Sequence, residues 1–380
     1  MKKRVTILGS TGSIGRQTLE VIALLSDEYE IYGLSASSNV ELLAEQAKRF
    51  SAKRIASVKP MEGLNNIDVL TGEDSASELA RDANADIVVL AISGIAALKP
   101  LLNAIQNGKR IAIANKESLV CGGDLVDEAL VKYGAELVPI DSEQSAIFQC
   151  LKNGKREEVK RLILTASGGP FFKLKLEELS GVSMEQVLAH PTWNMGRKIT
   201  LDSATMFNKG LEIIEAARLF KFGADKIDVL IHPQSIVHSM VEYCDGTVIA
   251  NMSLPDMRLP IQYALSYPKR TASLARPLKL EEVGNLSFFK ADMERFSALK
   301  LAYAALNAGG GYPVVYNGAN ERAAELYFGG IIDFLDIENA VAYAFDRYEN
   351  SKMRSINDIL DADFEAHRLV DEFAAQKGKK

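Results

Sequence analysis

The chain of 380 residues has three cysteines, Cys121, Cys150 and Cys244, an odd number without metal-ligand spacing. That excludes a disulfide framework and a cysteine-bound zinc site, and it fits reduced thiols in a cytosolic core. No sign of charge dominates: 44 basic residues stand against 50 acidic ones, for a net charge of −6. Such a surface offers no broad basic face to a nucleic acid or an anionic membrane, so any bound anion must meet a local site. The apolar runs are short and broken by charge, and the N-terminus enters a strand almost at once, so neither a transmembrane helix nor a signal peptide is expected. The expected location is cytoplasmic. Internal repeats are absent, and only the final Lys-Gly-Lys-Lys reads as a loose tail.

The remaining pattern is that of a large α/β enzyme with room for several cores. Over residues 1–150, the apolar segments Val5–Leu8, Glu30–Ser35, Asp86–Ile92, Arg110–Ala114 and Glu136–Ile140 read as buried strands separated by helical stretches. Alternation of this kind predicts a doubly wound parallel sheet, a Rossmann-type dinucleotide-binding domain. Residues 151–290 predict a mixed α/β catalytic and connective domain, with strands at Arg161–Ala166, Val229–Ile231 and within Ser235–Met252. Residues 291–380 have mostly helical spacing, as in Ala298–Leu306, Ala319–Tyr327, Ile337–Tyr348 and Ile356–Ala375, and predict a C-terminal helical domain.

Gly9, Gly12 and Gly15 follow the strand VTIL and precede the helical run IGRQTLEVIALL. In that context the glycines read as a phosphate-cradling turn, with backbone N–H groups and a helix N-terminus facing a pyrophosphate. About twenty residues on, where an NAD site carries an acid for the ribose hydroxyls, the second strand ends in Ser35-Ala36-Ser37-Ser38-Asn39. Hydroxyls such as that of Ser37, with the Asn39 amide, suit a ribose phosphate and so NADP, while a plain polar loop accounts for the same residues.

Asp141 and Glu143 follow the apolar strand ELVPI. If strand geometry persists, positions two apart face one side, and two carboxylates held together call for a cation. With oxygen ligands alone that cation is Mg²⁺ or Mn²⁺ rather than zinc. An equally open reading is a helix cap, with Asp141 or Ser142 starting the helix SAIFQCLKNG. Further on, Asn208, Glu212 and Glu215 share one helix face with Lys209 beside them. A plain amphipathic helix with a surface ion pair accounts for that spacing, whereas the nearby density of Ser203, Thr205, Asn208 and Lys209 suits phosphate oxygens. The loop His190–Lys198 combines Trp193, the only tryptophan, with Met195 and Gly196, and reads either as a water-excluding lid or as a loop whose ring joins the core. His238, in HPQSIVHSM, reads as a satisfied strand histidine rather than a catalyst.

Seven strings then occur together, in order: GSTGSIG, NKESLV, IDSEQSAIFQ, LTASGGPF, HPTWNMGRKITLDSATMFNKGLE, HPQSIVHSMVEY and PDMRLPIQ. In sequence and spacing they resemble the 1-deoxy-D-xylulose 5-phosphate reductoisomerase family over essentially the whole chain. The resemblance implies an NADPH- and divalent-metal-dependent homodimer of the non-mevalonate isoprenoid pathway. Its reaction rearranges 1-deoxy-D-xylulose 5-phosphate and reduces the product to 2-C-methyl-D-erythritol 4-phosphate.

By matching motif positions, the resemblance implies Asp141, Glu143 and Glu212 as ligands of one Mn²⁺ or Mg²⁺ ion, and Glu215 as a structural carboxylate. It places Ser167, Ser203, Asn208 and Lys209 at the phosphate end, with Ser142, Lys116 and His190 also at the substrate. It likens Thr11, Gly12, Ser13 and Ile14 to the pyrophosphate turn, and Asn39, Asn115, Glu117 and Gly196 to further cofactor contacts. Trp193 and Met195 match the lid, and His238 lines the site. Lys116, Glu143, His190 and Glu212 are the candidates for catalysis, with Lys116 orienting the substrate hydroxyls or moving a proton between them. One departure stands out: many relatives carry Gly and a basic residue where this chain has Ser37-Ser38, which removes a charge for the 2′-phosphate. Two other classes are weaker fits. They are a metal-assisted dehydrogenase that leaves the carbon skeleton intact, and a regulator that only binds a dinucleotide.

Overall fold

The computed structural model describes residues 1–64, 66–189, 192–193 and 195–377, and the chain divides into two compact units. The first comprises Met1–Leu119, Gly123–Phe148 and Asp256–Pro277; the second comprises Val120–Gly122, Gln149–Pro255 and Leu278–Lys380.

The first unit is built on strands β1 Lys3–Leu8, β2 Tyr29–Ala36, β3 Arg54–Ser57, β4 Asp68–Thr71, β5 Ile87–Leu90, β6 Arg110–Ile113 and β7 Glu136–Pro139. They form one sheet in the order β4-β3-β2-β1-β5-β6-β7, with every neighbouring pair parallel. Parallel strands require crossover helices and are covered on both faces, which is why VTIL, IVVL and RIAI are apolar without alternation. Strand order reverses at β1, between β2 and β5, so the expected doubly wound dinucleotide-type fold is present. The late helix Arg258–Ser266 adds Ile261, Ala264 and Leu265 to this core. Tyr29 Oη donates to Leu265 O at 3.0 Å and the Arg110 guanidinium to Tyr267 O at 2.7 Å, fastening that segment to β2 and β6. Strands β3 and β4 were not anticipated by apolar pattern. Each has only four residues, and β4, at the sheet edge, is half-exposed.

The second unit contains β8 Val159–Ala166, β9 Ile227–Ile231, β10 Val237–Tyr243, β11 Val248–Met252 and β12 Phe289–Lys290. Their order is β11-β10-β8-β9-β12; β8 and β9 run parallel and the other pairs antiparallel. The segment Ser235–Met252 is thus a hairpin. The expected helices of the C-terminal region are Ser297–Ala308, Tyr312–Phe328, Phe334–Arg347 and Ile356–Lys377. Among the described residues, no helix is long and apolar enough to cross a membrane.

Candidate active site

In the first unit the glycine turn is shaped by close approach. Gly9 has φ +88°, and a Cβ there would lie 2.6 Å from Ala91 O. A Cβ on Gly15 would lie 2.3 Å from Gly9 O, whereas one on Gly12 would meet nothing nearer than 3.4 Å. Gly9 and Gly15 therefore serve the fold, while Gly12 leaves open space at the start of helix Ser13–Leu24. No side chain caps that helix, so its first N–H groups face outward around exposed Gly12 and Ser13 and half-buried Thr11 and Ile14. The turn is held to the next strand and helix. Gly9 N and Ser10 N donate to Ser35 O at 3.1 and 2.8 Å, and Gln46 Nε2 donates to Ser10 O at 3.1 Å. Ser37 is exposed, and Asn39 Oδ1 accepts from Leu42 N at 3.2 Å as the cap of helix Val40–Arg49.

After β6, Asn115 is buried and donates to Gly94 O at 3.1 Å and to Glu117 Oε2 at 2.7 Å. Glu117 Oε1 also accepts from Gly94 N at 3.2 Å, which ties the loops after β5 and β6 together. Lys116, between them, reaches across to β7: its Nζ lies 2.7 Å from Asp141 Oδ2, with each side chain 10% exposed. The strand ends at Pro139, and helix Ser142–Cys150 begins straight after Asp141. Alternation along a strand therefore does not align Asp141 with Glu143, because a helix start replaces it. Ser142 Oγ donates to Glu143 Oε2 at 2.5 Å.

In the second unit, Ser167 leaves β8 into Gly168 and Gly169, with φ +83° and +65°. A Cβ on Gly169 would lie 2.7 Å from Ser203 O, so only glycine lets this loop close onto the Ser203 backbone. Ser203 lies in helix Arg197–Ala204, and Asn208, Lys209 and Glu212 in helix Phe207–Phe220. Between the two helices Met206 is buried with φ +66°, a conformation costing a non-glycine residue about 1–2 kcal/mol. Glu212 is 1% exposed. Its carboxylate accepts from Asn208 Nδ2 at 2.6 Å and from the Lys209 ammonium, and Glu215 is wholly buried one turn on. The bland alternative of a surface Lys209–Glu212 pair is excluded, since both groups are interior.

Trp193 and Met195 are half-buried, and Gly196 is the residue before helix Arg197–Ala204, accepting from Thr200 N at 3.0 Å. The Trp193 ring lies 6.3 Å from that of His238, whose Nε2 is 2.7 Å from Ser253 Oγ. Ser253 donates its proton to Leu254 O at 3.0 Å, which makes His238 Nε2 the donor in the first bond. His190 lies outside the described residues. Sequence spacing points to neither Gln46, Gly169 nor Ser253, because each joins its neighbours only through tertiary contact.

Sequence profiles for 1-deoxy-D-xylulose 5-phosphate reductoisomerase match residues 5–123, and profiles for its C-terminal domains match residues 137–220 and 252–369. A protein of that name from Thermoanaerobacter pseudethanolicus is 48% identical over 377 residues, covering 97% of this chain and 98% of its own. The chain belongs to the 1-deoxy-D-xylulose 5-phosphate reductoisomerase family. Another reductoisomerase, from Chloroherpeton thalassium, is 45% identical over 376 residues, covering 97% of each chain. Among solved structures, the reductoisomerase from Zymomonas mobilis in complex with NADPH has a TM-score of 0.93 at 42% identity, covering 98% of this chain and 99% of that one. A reductoisomerase in complex with NADPH, fosmidomycin and magnesium has a TM-score of 0.90 at 37% identity, covering 98% of each.

Proposed function

We propose that this chain converts 1-deoxy-D-xylulose 5-phosphate to 2-C-methyl-D-erythritol 4-phosphate, using NADPH and one divalent metal ion. The observation that carries this reading, beyond family membership, is that interior carboxylates are held against lysines: Asp141 against Lys116, and Glu212 against Lys209. Interior carboxylates need a cation beside them. Asp141, Glu143 and Glu212 offer only carboxylate oxygens, the donor set suited to Mg²⁺ or Mn²⁺, and are the proposed ligands. A divalent ion held there supplies Lewis acidity to substrate oxygens, and NADPH supplies the hydride for the reduction.

The chain's own residues supply the rest. Ser167, Ser203, Asn208 and Lys209 hold the phosphate. Gly169, two residues after Ser167, packs closely on the Ser203 backbone, and Lys209 adds the positive charge that an oxyanion favours. Lys116 holds a proton on Nζ at the substrate hydroxyls, oriented by its bond to Asp141, while Ser142 and His190 add polar contacts. Trp193 and Met195 cover the substrate and exclude water. Thr11, Gly12, Ser13 and Ile14 take the pyrophosphate of NADPH; Ser37, Asn39, Asn115, Glu117 and Gly196 take the rest of the cofactor, and His238 lines the substrate site beside Trp193. The assembly is proposed to be a cytoplasmic homodimer, with an NADPH-binding domain over 1–150, a catalytic domain over 151–290 apart from Asp256–Pro277, which packs in the first unit, and a helical domain over 291–380.

The test is NADPH oxidation by the purified protein with 1-deoxy-D-xylulose 5-phosphate, with Mg²⁺ or Mn²⁺ and then with a chelator, the product being identified by NMR. Metal-dependent formation of the branched product is expected. An unrearranged alcohol would leave a plain dehydrogenase, and bound NADPH without turnover would leave a regulator.

A further inference from the structure

We propose that Tyr316 and Asn320, in helix Tyr312–Phe328, are positioning residues that set the spacing of the phosphate-holding side chains from behind. This rests on the reading of Ser203, Asn208 and Lys209 given above. The two residues are four apart and so share one helix face, and each takes hold of one of the two helices that carry those side chains.

Asn320 is 1% exposed, and its Nδ2 donates to Asp202 Oδ1 at 3.0 Å. Asp202 is the residue before Ser203, is itself buried, and also accepts from Lys198 Nζ at 2.8 and 2.6 Å. A carboxylate only accepts, so the amide of Asn320 has one possible orientation here. Tyr316 is wholly buried and takes the other helix at its start. Its hydroxyl lies 3.5 Å from Phe207 O and 3.1 Å from Ala298 O, and its ring centroid 5.2 Å from that of Phe207. A Cβ on Gly210 would lie 1.8 Å from that hydroxyl, so Tyr316 occupies the side-chain space of the residue next to Lys209. Met206, in its disfavoured left-handed conformation, lies between the two anchored points. A strained turn persists only where its surroundings over-determine it, and these two contacts do so on either side. The C-terminal helical region thereby fixes how far Ser203 stands from Asn208 and Lys209.

A group that holds the phosphate equally in the ground and transition states acts on KM rather than kcat. Asn320→Ala is therefore expected to raise KM for 1-deoxy-D-xylulose 5-phosphate about tenfold, with kcat within about twofold and KM for NADPH unchanged. The Ki of inorganic phosphate, as a competitive inhibitor, should rise in parallel. Asn320→Asp sets two acids together and should do more damage, and adding Asp202→Asn restores an acid–amide pair and should recover most of the loss. Tyr316→Phe, which keeps the ring and removes the hydroxyl, should raise both constants by about threefold. Unchanged KM and Ki in Asn320→Ala would overturn the inference. So would a fall in kcat alone, since that reports loss of folded enzyme. Ser203→Ala and Lys209→Ala separate the two readings: if neither raises KM, the phosphate assignment itself fails. If they do and the Asn320 variants do not, only the positioning role fails.

Discussion

Replacing Lys116 by methionine keeps most of the side-chain volume and removes the ammonium that lies 2.7 Å from Asp141 Oδ2. At that separation and an effective dielectric constant near 20, the gross attraction is about 6 kcal/mol. Desolvation offsets part of it, and deleting one partner of a buried pair typically costs about 3–5 kcal/mol. Because each side chain keeps 10% of its exposure, the lower end applies. A loss of about 3 kcal/mol in a unit of this size lowers the melting temperature by roughly 6–12 °C. If the carboxylates take a divalent ion, that ion replaces the missing charge. In calorimetry, Lys116→Met should therefore be far less stable than the parent in a chelator and regain most of the deficit in magnesium. Its kcat should stay at least about 100-fold down, since roughly 2.7 kcal/mol of stabilisation at the substrate is not restored by an ion held elsewhere. Asp141→Asn should abolish the magnesium response in either background. Equal magnesium shifts in parent and Lys116→Met would refute the reasoning, because the ammonium and the ion would not then serve the same carboxylate.

Three further outcomes are expected. Ser38→Arg restores a cation at the second-strand loop and should raise the ratio of kcat/KM for NADPH over NADH about tenfold, by one charge-assisted bond to the 2′-phosphate. In the glycine turn, Gly15→Ala should destabilise the fold, whereas Gly12→Ala should melt like the parent and lose NADPH affinity; titration by cofactor fluorescence beside a melting curve separates the two. Burial pushes the Asp82 carboxyl up, but hydrogen bonds from Asn84 N, Arg54 and Tyr32 outweigh it and hold it down at about 2. A carboxyl lowered by folding stabilises above its unfolded value and loses that effect as pH falls through its folded one. Asp82→Asn should therefore cost about 2 kcal/mol in urea unfolding at pH 7, with the gap closing between about pH 4 and 2.

Much of the first unit was legible because parallel strands, covered on both faces, leave continuous apolar runs, and because the glycine turn sits between a strand and a helix. Strands β3 and β4 were not, since RIAS and DVLT each hold only two apolar residues in a row, too short a run to stand out, unlike the equally short but more apolar β5. The switch from strand to helix at Asp141 was visible only as an alternative, because a capping residue and a strand-end ligand look the same in sequence. In the second unit the helix Phe207–Phe220 was foreseen, but its spacing left both a solvated face and a site-facing one open. Only the tertiary burial of Lys209, Glu212 and Glu215 removes the solvated face. The bonds from Lys116 to Asp141 and from Asn320 to Asp202 join residues far apart in the chain, and no local pattern contains them.

The succession β1, β5, β6, β7 places the glycine turn, the Asn115–Lys116 pair and Asp141 after strands of a single sheet. Neighbouring strands stand about 4.8 Å apart, so the sheet acts as a ruler: the turn after β1 and the carboxylate after β7 are three divisions, or roughly 14 Å, from each other. Such a separation changes only in whole steps, by gaining or losing a strand. Drift in the loop sequences can change the side chains at each division of that ruler without altering the distance between its ends.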